Sequence, residues 1–229
     1  MKVNRKLFIV MVLAFFAINT YAQKNWTDYR RYEKANVTDK QLPQEQRKVV
    51  FMGNSITDNW YSMRKDFFKS NGYIGRGISG QTSHQMLVRF HEDVVNLHPK
   101  AVVINSGTND IAENNHDYVE DRTFENIVAM VEIAQANNIK VILTTITPCE
   151  QYCWRTNIKD VIEKIKHLNE RIREYAKNHK CLFVDYWTPL ANERGAMKDG
   201  LSNDGCHPTL EGYAIMEPLV KAAIKKVVK

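Results

Sequence analysis

Arg47-Lys48-Val49-Val50-Phe51-Met52-Gly53-Asn54-Ser55-Ile56-Thr57 is a strand that runs into a serine. Val49 to Met52 is apolar and starts with two β-branched residues, the mark of a buried strand. Gly53-Asn54-Ser55 breaks the run, and Thr57-Asp58 offers an N-cap for a helix over 57–70. A serine between the C-terminal end of a buried strand and a helix start stands where open α/β sheets bind ligands. The unpaired N–H groups of that helix start can face a developing negative charge. Taken alone, the stretch is equally an ordinary turn. The rest of the chain decides.

Outward from this stretch, short apolar segments alternate with amphipathic ones. Strands are expected at 73–78, 101–104, 139–146 and 181–184, with helices at 83–97, 118–136 and 157–178 and a last helix capped by Thr209. Strands that are apolar throughout, separated by helices, imply a parallel sheet covered on both faces. The expected fold is therefore α/β, a three-layer α/β/α sandwich on a five-stranded parallel sheet. Polar, Gly-containing loops follow the first three strands, and in such a sheet they share one edge.

The chain has 229 residues and a formal charge of +6. Residues 1–22 read as a cleaved signal peptide: Lys2, Arg5 and Lys6, an apolar run over 7–18, and a small residue at Ala22. That run is shorter than the about 20 residues a spanning helix needs, so no stable membrane anchor is expected after cleavage. The expected location is exported, periplasmic or secreted. The three basic residues account for half of the charge, leaving +3 on the remainder, with no basic face and no nucleic-acid reading motif. Residues 23–46 are expected to form a helical arm, with Trp26, Tyr29, Tyr32 and Ala35 at helical spacing, and 47–229 one domain. Cys149, Cys153, Cys181 and Cys206 permit disulfides in an exported protein, including a local Cys149–Cys153 bridge. They lack zinc-knuckle spacing, and His207 beside Cys206 has no further ligands at metal spacing.

Acyl transfer by a serine needs a nucleophile, a base held by an orienting group, and donors aimed at the oxyanion. Ser55 can be the first. In Asp204-Gly205-Cys206-His207-Pro208 a three-residue gap lets one turn bring the Asp204 carboxylate to Nδ1 of His207. The Ser55 N–H, the Gly80 N–H and the Asn109 amide can be the donors. Four blocks thus recur in order: Gly53-Asn54-Ser55-Ile56-Thr57, Gly77-Ile78-Ser79-Gly80, Gly107-Thr108-Asn109-Asp110 and Asp204-Gly205-Cys206-His207-Pro208. Together they resemble the SGNH hydrolase superfamily, the GDSL-type esterases and lipases. The resemblance implies a flavodoxin-like sandwich, catalytic Ser55, His207 and Asp204, an oxyanion hole from Ser55, Gly80 and Asn109, and no cofactor or metal. Asn54 departs from the family's usual Asp and removes a charge beside the serine. His84, His91, His98, His116, His167 and His179 lack an Asp-x-x-His setting and are expected to be solvated or structural.

The segment around Ser55 looks most like the platelet-activating-factor acetylhydrolase-like branch, whose members often remove short acyl groups, including acetyl groups on sugars. The expected function is a serine esterase acting on short-chain, acetyl-type esters of carbohydrates, with a small-molecule or glycan ester as partner. Trp60, Tyr61, Arg76, Tyr152 and Trp154 are candidates for substrate binding at the rim. A lipid acylhydrolase or thioesterase would instead prefer long chains. A glycan-binding module that kept the fold and lost turnover has only Asn54 in its favour.

Overall fold

The computed structural model describes residues 26–228; the expected signal peptide lies outside them. In chain order come helix α1 (Arg30–Asp39), strand β1 (Val49–Gly53), helices α2 (Ser55–Met63) and α3 (Lys65–Asn71), strand β2 (Tyr73–Gly77) and helix α4 (Ser83–Asp93). Strand β3 (Ala101–Ile104), the single turn α5 (Thr108–Ile111), helix α6 (Glu120–Ala136) and strand β4 (Lys140–Thr144) follow. Helix α7 (Val161–Asn178), strand β5 (Leu182–Val184), the turn α8 (Trp187–Leu190) and helix α9 (Leu210–Val227) complete the series.

The five strands form one parallel sheet in the order β2-β1-β3-β4-β5. Successive strand residues point to opposite faces, and the core divides accordingly. Val50, Met52, Val102 and Ile104 pack with Met86 and Phe90 of α4 and Ile165 and Leu168 of α7. Val49, Phe51, Ala101 and Val103 pack with Trp60, Phe67 and Phe68, and with Tyr213 and Met216 of α9. The chain leaves β1 toward β2 and returns past it to β3. The C-terminal ends of β1 and β3 therefore flank the switch in strand order, where open sheets leave a crevice.

Several boundaries differ from the expected ones for local reasons. The helix after β1 starts at Ser55, because the Asn54 side chain accepts from the Ile56 N–H at 3.0 Å and acts as the cap expected of Thr57-Asp58. It is also not continuous to 70: Arg64 leaves helical geometry and separates α2 from α3. That break brings the Trp60 and Phe67 rings into a stack with centroids 5.6 Å apart. A continuous helix would space residues seven apart by about 10.5 Å. Arg64 itself makes a two-pronged bond to Glu217 of α9, at 2.7 and 2.8 Å.

Helix α1 buries none of its residues, so polar contacts hold it against β2 and α4. Tyr32 donates to the Gly77 carbonyl, Asn36 to Asp93 at 2.6 Å, and Arg76 to Asn36 at 2.9 Å and Asp39 at 2.6 Å. The Arg76 guanidinium also lies 4.7 Å from the centre of the Tyr32 ring. All four cysteines are unpaired: Cys149 and Cys206 are buried, Cys181 is half-buried and Cys153 exposed, so the local Cys149–Cys153 bridge is not formed. No helix among the described residues is long and apolar enough to cross a membrane.

Candidate active site

Ser55 is the first residue of α2, so its N–H belongs to the turn that has no intrahelical acceptor. Ser55 is 7% exposed, and its Oγ lies 2.8 Å from Nε2 of His207, a residue 152 positions away. The segment before α9 makes that meeting. Asp204 Oδ1 accepts from the Cys206 N–H at 2.9 Å and the His207 N–H at 2.8 Å, folding the Asp204–His207 turn around one carboxylate oxygen. Its other oxygen lies 2.6 Å from Nδ1 of His207. Burial opposes ionisation of Asp204. The His207 backbone N–H, the His207 ring and the Cys206 N–H outweigh it and hold the carboxyl down at about 2. A carboxylate fixed in this way puts the imidazole proton on Nδ1 and leaves Nε2 free to accept the Ser55 hydroxyl proton. Cys206, between them in sequence, faces the core: hydrogen bonding with the Cys149 thiol and full burial push its own thiol well above the ordinary range, away from reactive thiolate.

Gly80 and Asn109 come to the same place. A cleft of about 380 Å³ is lined by Ser55, Asn59, Ser79, Gly80, Asn109, Asn114, Trp154 and His207. Gly80 has φ +81°, and a Cβ there would meet nothing; backbone conformation is what calls for glycine, and the space beside it is open. Gly107, with φ +119°, begins the turn carrying Asn109, and a Cβ would lie 2.5 Å from the Ile146 side chain. Asn109 spends one amide N–H on the Gln81 carbonyl at 2.9 Å, which orients the amide and leaves its second N–H. Asn54 is fully buried; its oxygen caps α2 while its nitrogen has no partner among the described residues.

Of the five aromatic and basic candidates for the rim, only Trp154 is there. It is 38% exposed, its ring lies 5.6 Å from that of His207, and its Nε1 donates to Asn114 at 3.0 Å. Trp60 is a core residue stacked on Phe67 and Tyr213, and Tyr152 is wholly buried. Tyr61 packs edge-on to Phe68 and over Gly75, where no Cβ would fit beside its ring. Arg76 is buried by its bonds to α1. Asn59, Ser79 and Asn114 are cleft residues that sequence reasoning missed. Asn114 donates to the Gly80 carbonyl at 3.2 Å, five residues beyond Asn109, in a loop with no pattern to mark it.

Comparison with known proteins bears on the family and the fold. The profile of the GDSL-like lipase/acylhydrolase family matches residues 51–215. The crystal structure of a GDSL-like lipase from Bacteroides thetaiotaomicron is 54% identical, covers 87% of this chain and 98% of its own, and superposes with a TM-score of 0.85. An acetylxylan esterase of Xylanibacter ruminicola is 25% identical over 213 residues, 78% of this chain and 43% of its own length. An uncharacterized lipoprotein of Bacillus subtilis is 32% identical over 141 residues, 60% of this chain and 48% of its own. The chain thus spans less than half the length of these two curated relatives. A match over most of the chain, with a solved relative of the same fold at 54% identity, makes this protein a member of the GDSL-like lipase/acylhydrolase family within the SGNH hydrolase superfamily.

Proposed function

We propose that this protein is a serine esterase that removes acetyl or similarly short acyl groups from carbohydrate esters. The observation that carries the reading is the relay from Asp204 Oδ2 to His207 Nδ1 at 2.6 Å and from His207 Nε2 to Ser55 Oγ at 2.8 Å. In this reading Ser55 Oγ attacks the ester carbonyl carbon and gives its proton to His207 Nε2. The carbonyl oxygen, now negative, is held by the N–H groups of Ser55 and Gly80 and the free amide N–H of Asn109. The carbon–oxygen bond to the alcohol then breaks, His207 returns the proton to the leaving oxygen, and Ser55 keeps the acyl group. Water, deprotonated by His207, attacks the acyl-enzyme, and the acid leaves as Ser55 recovers its proton.

The preference for short acyl groups rests on the residues that line the cleft with Ser55, none of them aliphatic; Met63, Pro208 and Leu210 line a separate hollow that adjoins it at Asn59 and His207. Each methylene of a longer chain buried against apolar walls would gain about 0.8 kcal/mol, and the only such wall beside Ser55 in this cleft is the Trp154 ring. A sugar is supported by the exposed Trp154 ring, by the amides of Asn59 and Asn114, and by the similarity to an acetylxylan esterase. The lipoprotein relative and the leader-like residues 1–22 support an exported location. The test is hydrolysis of acetyl and octanoyl nitrophenyl esters and of acetylated xylo-oligosaccharides by wild type and Ser55→Ala. The reading expects acetyl to exceed octanoyl in kcat/KM by at least tenfold, with both abolished in Ser55→Ala. Equal rates in the two proteins would remove Ser55 from the reaction, and octanoyl preference would remove the short-acyl assignment.

A further inference from the structure

His84 on α4, Asp110 on α5 and His116 in the loop beyond it converge on one point, separate from the residues that line the catalytic cleft. Asp110 Oδ1 lies 3.8 Å from Nδ1 of His84 and 3.6 Å from Nε2 of His116, and the three atoms lie within 4.8 Å of one another. Both separations are too long for a hydrogen bond. Each of the two ring nitrogens is nevertheless buried and has no hydrogen-bond partner among the described residues.

The protonation pattern of the loop sharpens this. Nδ1 of His116 lies 2.8 Å from the Asp117 carbonyl, which can only accept, so Nδ1 carries a proton. In the neutral ring Nε2 is then a lone pair, and it faces a carboxylate oxygen. The carboxylate is itself fixed: Asp110 accepts from the Ser83 N–H at 2.9 Å and from the Ser83 hydroxyl at 2.5 Å, and it is fully buried. A buried carboxylate oxygen, the Nε2 lone pair of neutral His116 and Nδ1 of His84 thus lie together, and the His84 tautomer with its proton on Nε2 makes all three electron-pair donors.

We propose that this cluster binds a divalent transition cation of the zinc class. Two imidazoles and a carboxylate are a donor set such cations take, with further positions left to solvent. Bonds of about 2.0–2.2 Å at tetrahedral angles place neighbouring donor atoms roughly 3.3–3.6 Å apart, so the two sides to Asp110 close by no more than a few tenths of an ångström, and the side between the two ring nitrogens closes from within 4.8 Å. The two rings are partly exposed and pack edge-on with centroids 4.2 Å apart, so a small rotation of the His84 ring suffices. The Asp117 carbonyl on His116 and the Ser83 hydroxyl on Asp110 are the outer hydrogen bonds that orient metal ligands elsewhere. Asp110 adjoins Asn109, and Asn114 lies between Asp110 and His116. The cation therefore ties to α4 the loop that presents both asparagines to the cleft. This inference does not depend on the esterase reading.

The test is titration of tag-free protein with Zn²⁺ by calorimetry, with Co²⁺ absorption as a second signal, in wild type, His84→Ala, His116→Ala and His207→Ala. Wild type and His207→Ala are expected to bind one equivalent and to rise in Tm with zinc concentration. His84→Ala and His116→Ala are expected to lose at least tenfold in affinity while keeping their circular dichroism. Asp110 is left intact because it also holds the start of α4. No binding by wild type, equal binding by the two histidine variants, or binding lost in His207→Ala would overturn the proposal, the first outcome leaving a proton on His116 as the occupant.

Discussion

Asp204 has two attachments, one oxygen folding its own turn and the other gripping the imidazole, so replacing it separates two effects. Folding lowers its carboxyl from the ordinary value of about 3.9 to about 2. A group lowered in this way contributes stability that is complete above its unfolded value and lost as pH falls through its folded one. In denaturant titrations the gap between wild type and Asp204→Asn is therefore expected to be constant near neutrality and to shrink between about pH 4 and pH 2. On the rate, Asp204→Asn leaves His207 without its orienting acceptor, and a fall in kcat of about 10⁴ is expected. Asn109→Ala is expected to cost about 10²–10³ in kcat with an unchanged KM, because its free N–H is assigned to the oxyanion alone. These residues were legible because each sits in a short block with a mechanical reason for its spacing. His84 and His116 were not, since 26 and 6 positions separate them from Asp110 and no local pattern links them.

At the level of elements, apolar runs such as Val49–Met52 and Ala101–Ile104 announced their strands because burial on both sheet faces forbids polar residues there. What misled were boundaries set by backbone geometry and by distant partners. Helix α7 starts at Val161, four residues later than 157, because Asp160 adopts a left-handed conformation with φ +56°. The break at Arg64 has no glycine or proline to signal it; it is fixed by Glu217 across the domain and by the stacking of Trp60. Trp60 and Tyr152 were misread for the same reason, since an aromatic residue near a loop looks alike in sequence whether it faces solvent or core. Trp60→Ala is thus expected to destabilise the protein by about 3–5 kcal/mol in denaturant titrations, rather than to alter KM selectively. The attachment of α1 is polar throughout, so Arg76→Ala is expected to speed proteolytic cleavage within residues 30–39 while the sheet stays protected.

Across the whole molecule, the strand order brings together residues that lie 152 positions apart, with Ser55 after β1, Asn109 after β3 and His207 from the loop before α9. The sheet supplies a rigid edge, and the loops supply chemistry that needs placement to within fractions of an ångström. The family and the layered fold follow from this arrangement and from the match over residues 51–215, whereas the acyl group and its carrier rest on a cleft whose lining is polar apart from glycine and the Trp154 ring. The account turns on Ser55 becoming acylated with His207 as its base. Labelling by a serine-directed fluorophosphonate, followed by peptide mapping, addresses this directly. A single adduct on Ser55, absent in Ser55→Ala and formed at least a hundredfold more slowly in His207→Ala, is the predicted result. An adduct on another serine, no adduct on folded protein, or a labelling rate untouched by His207→Ala would contradict it.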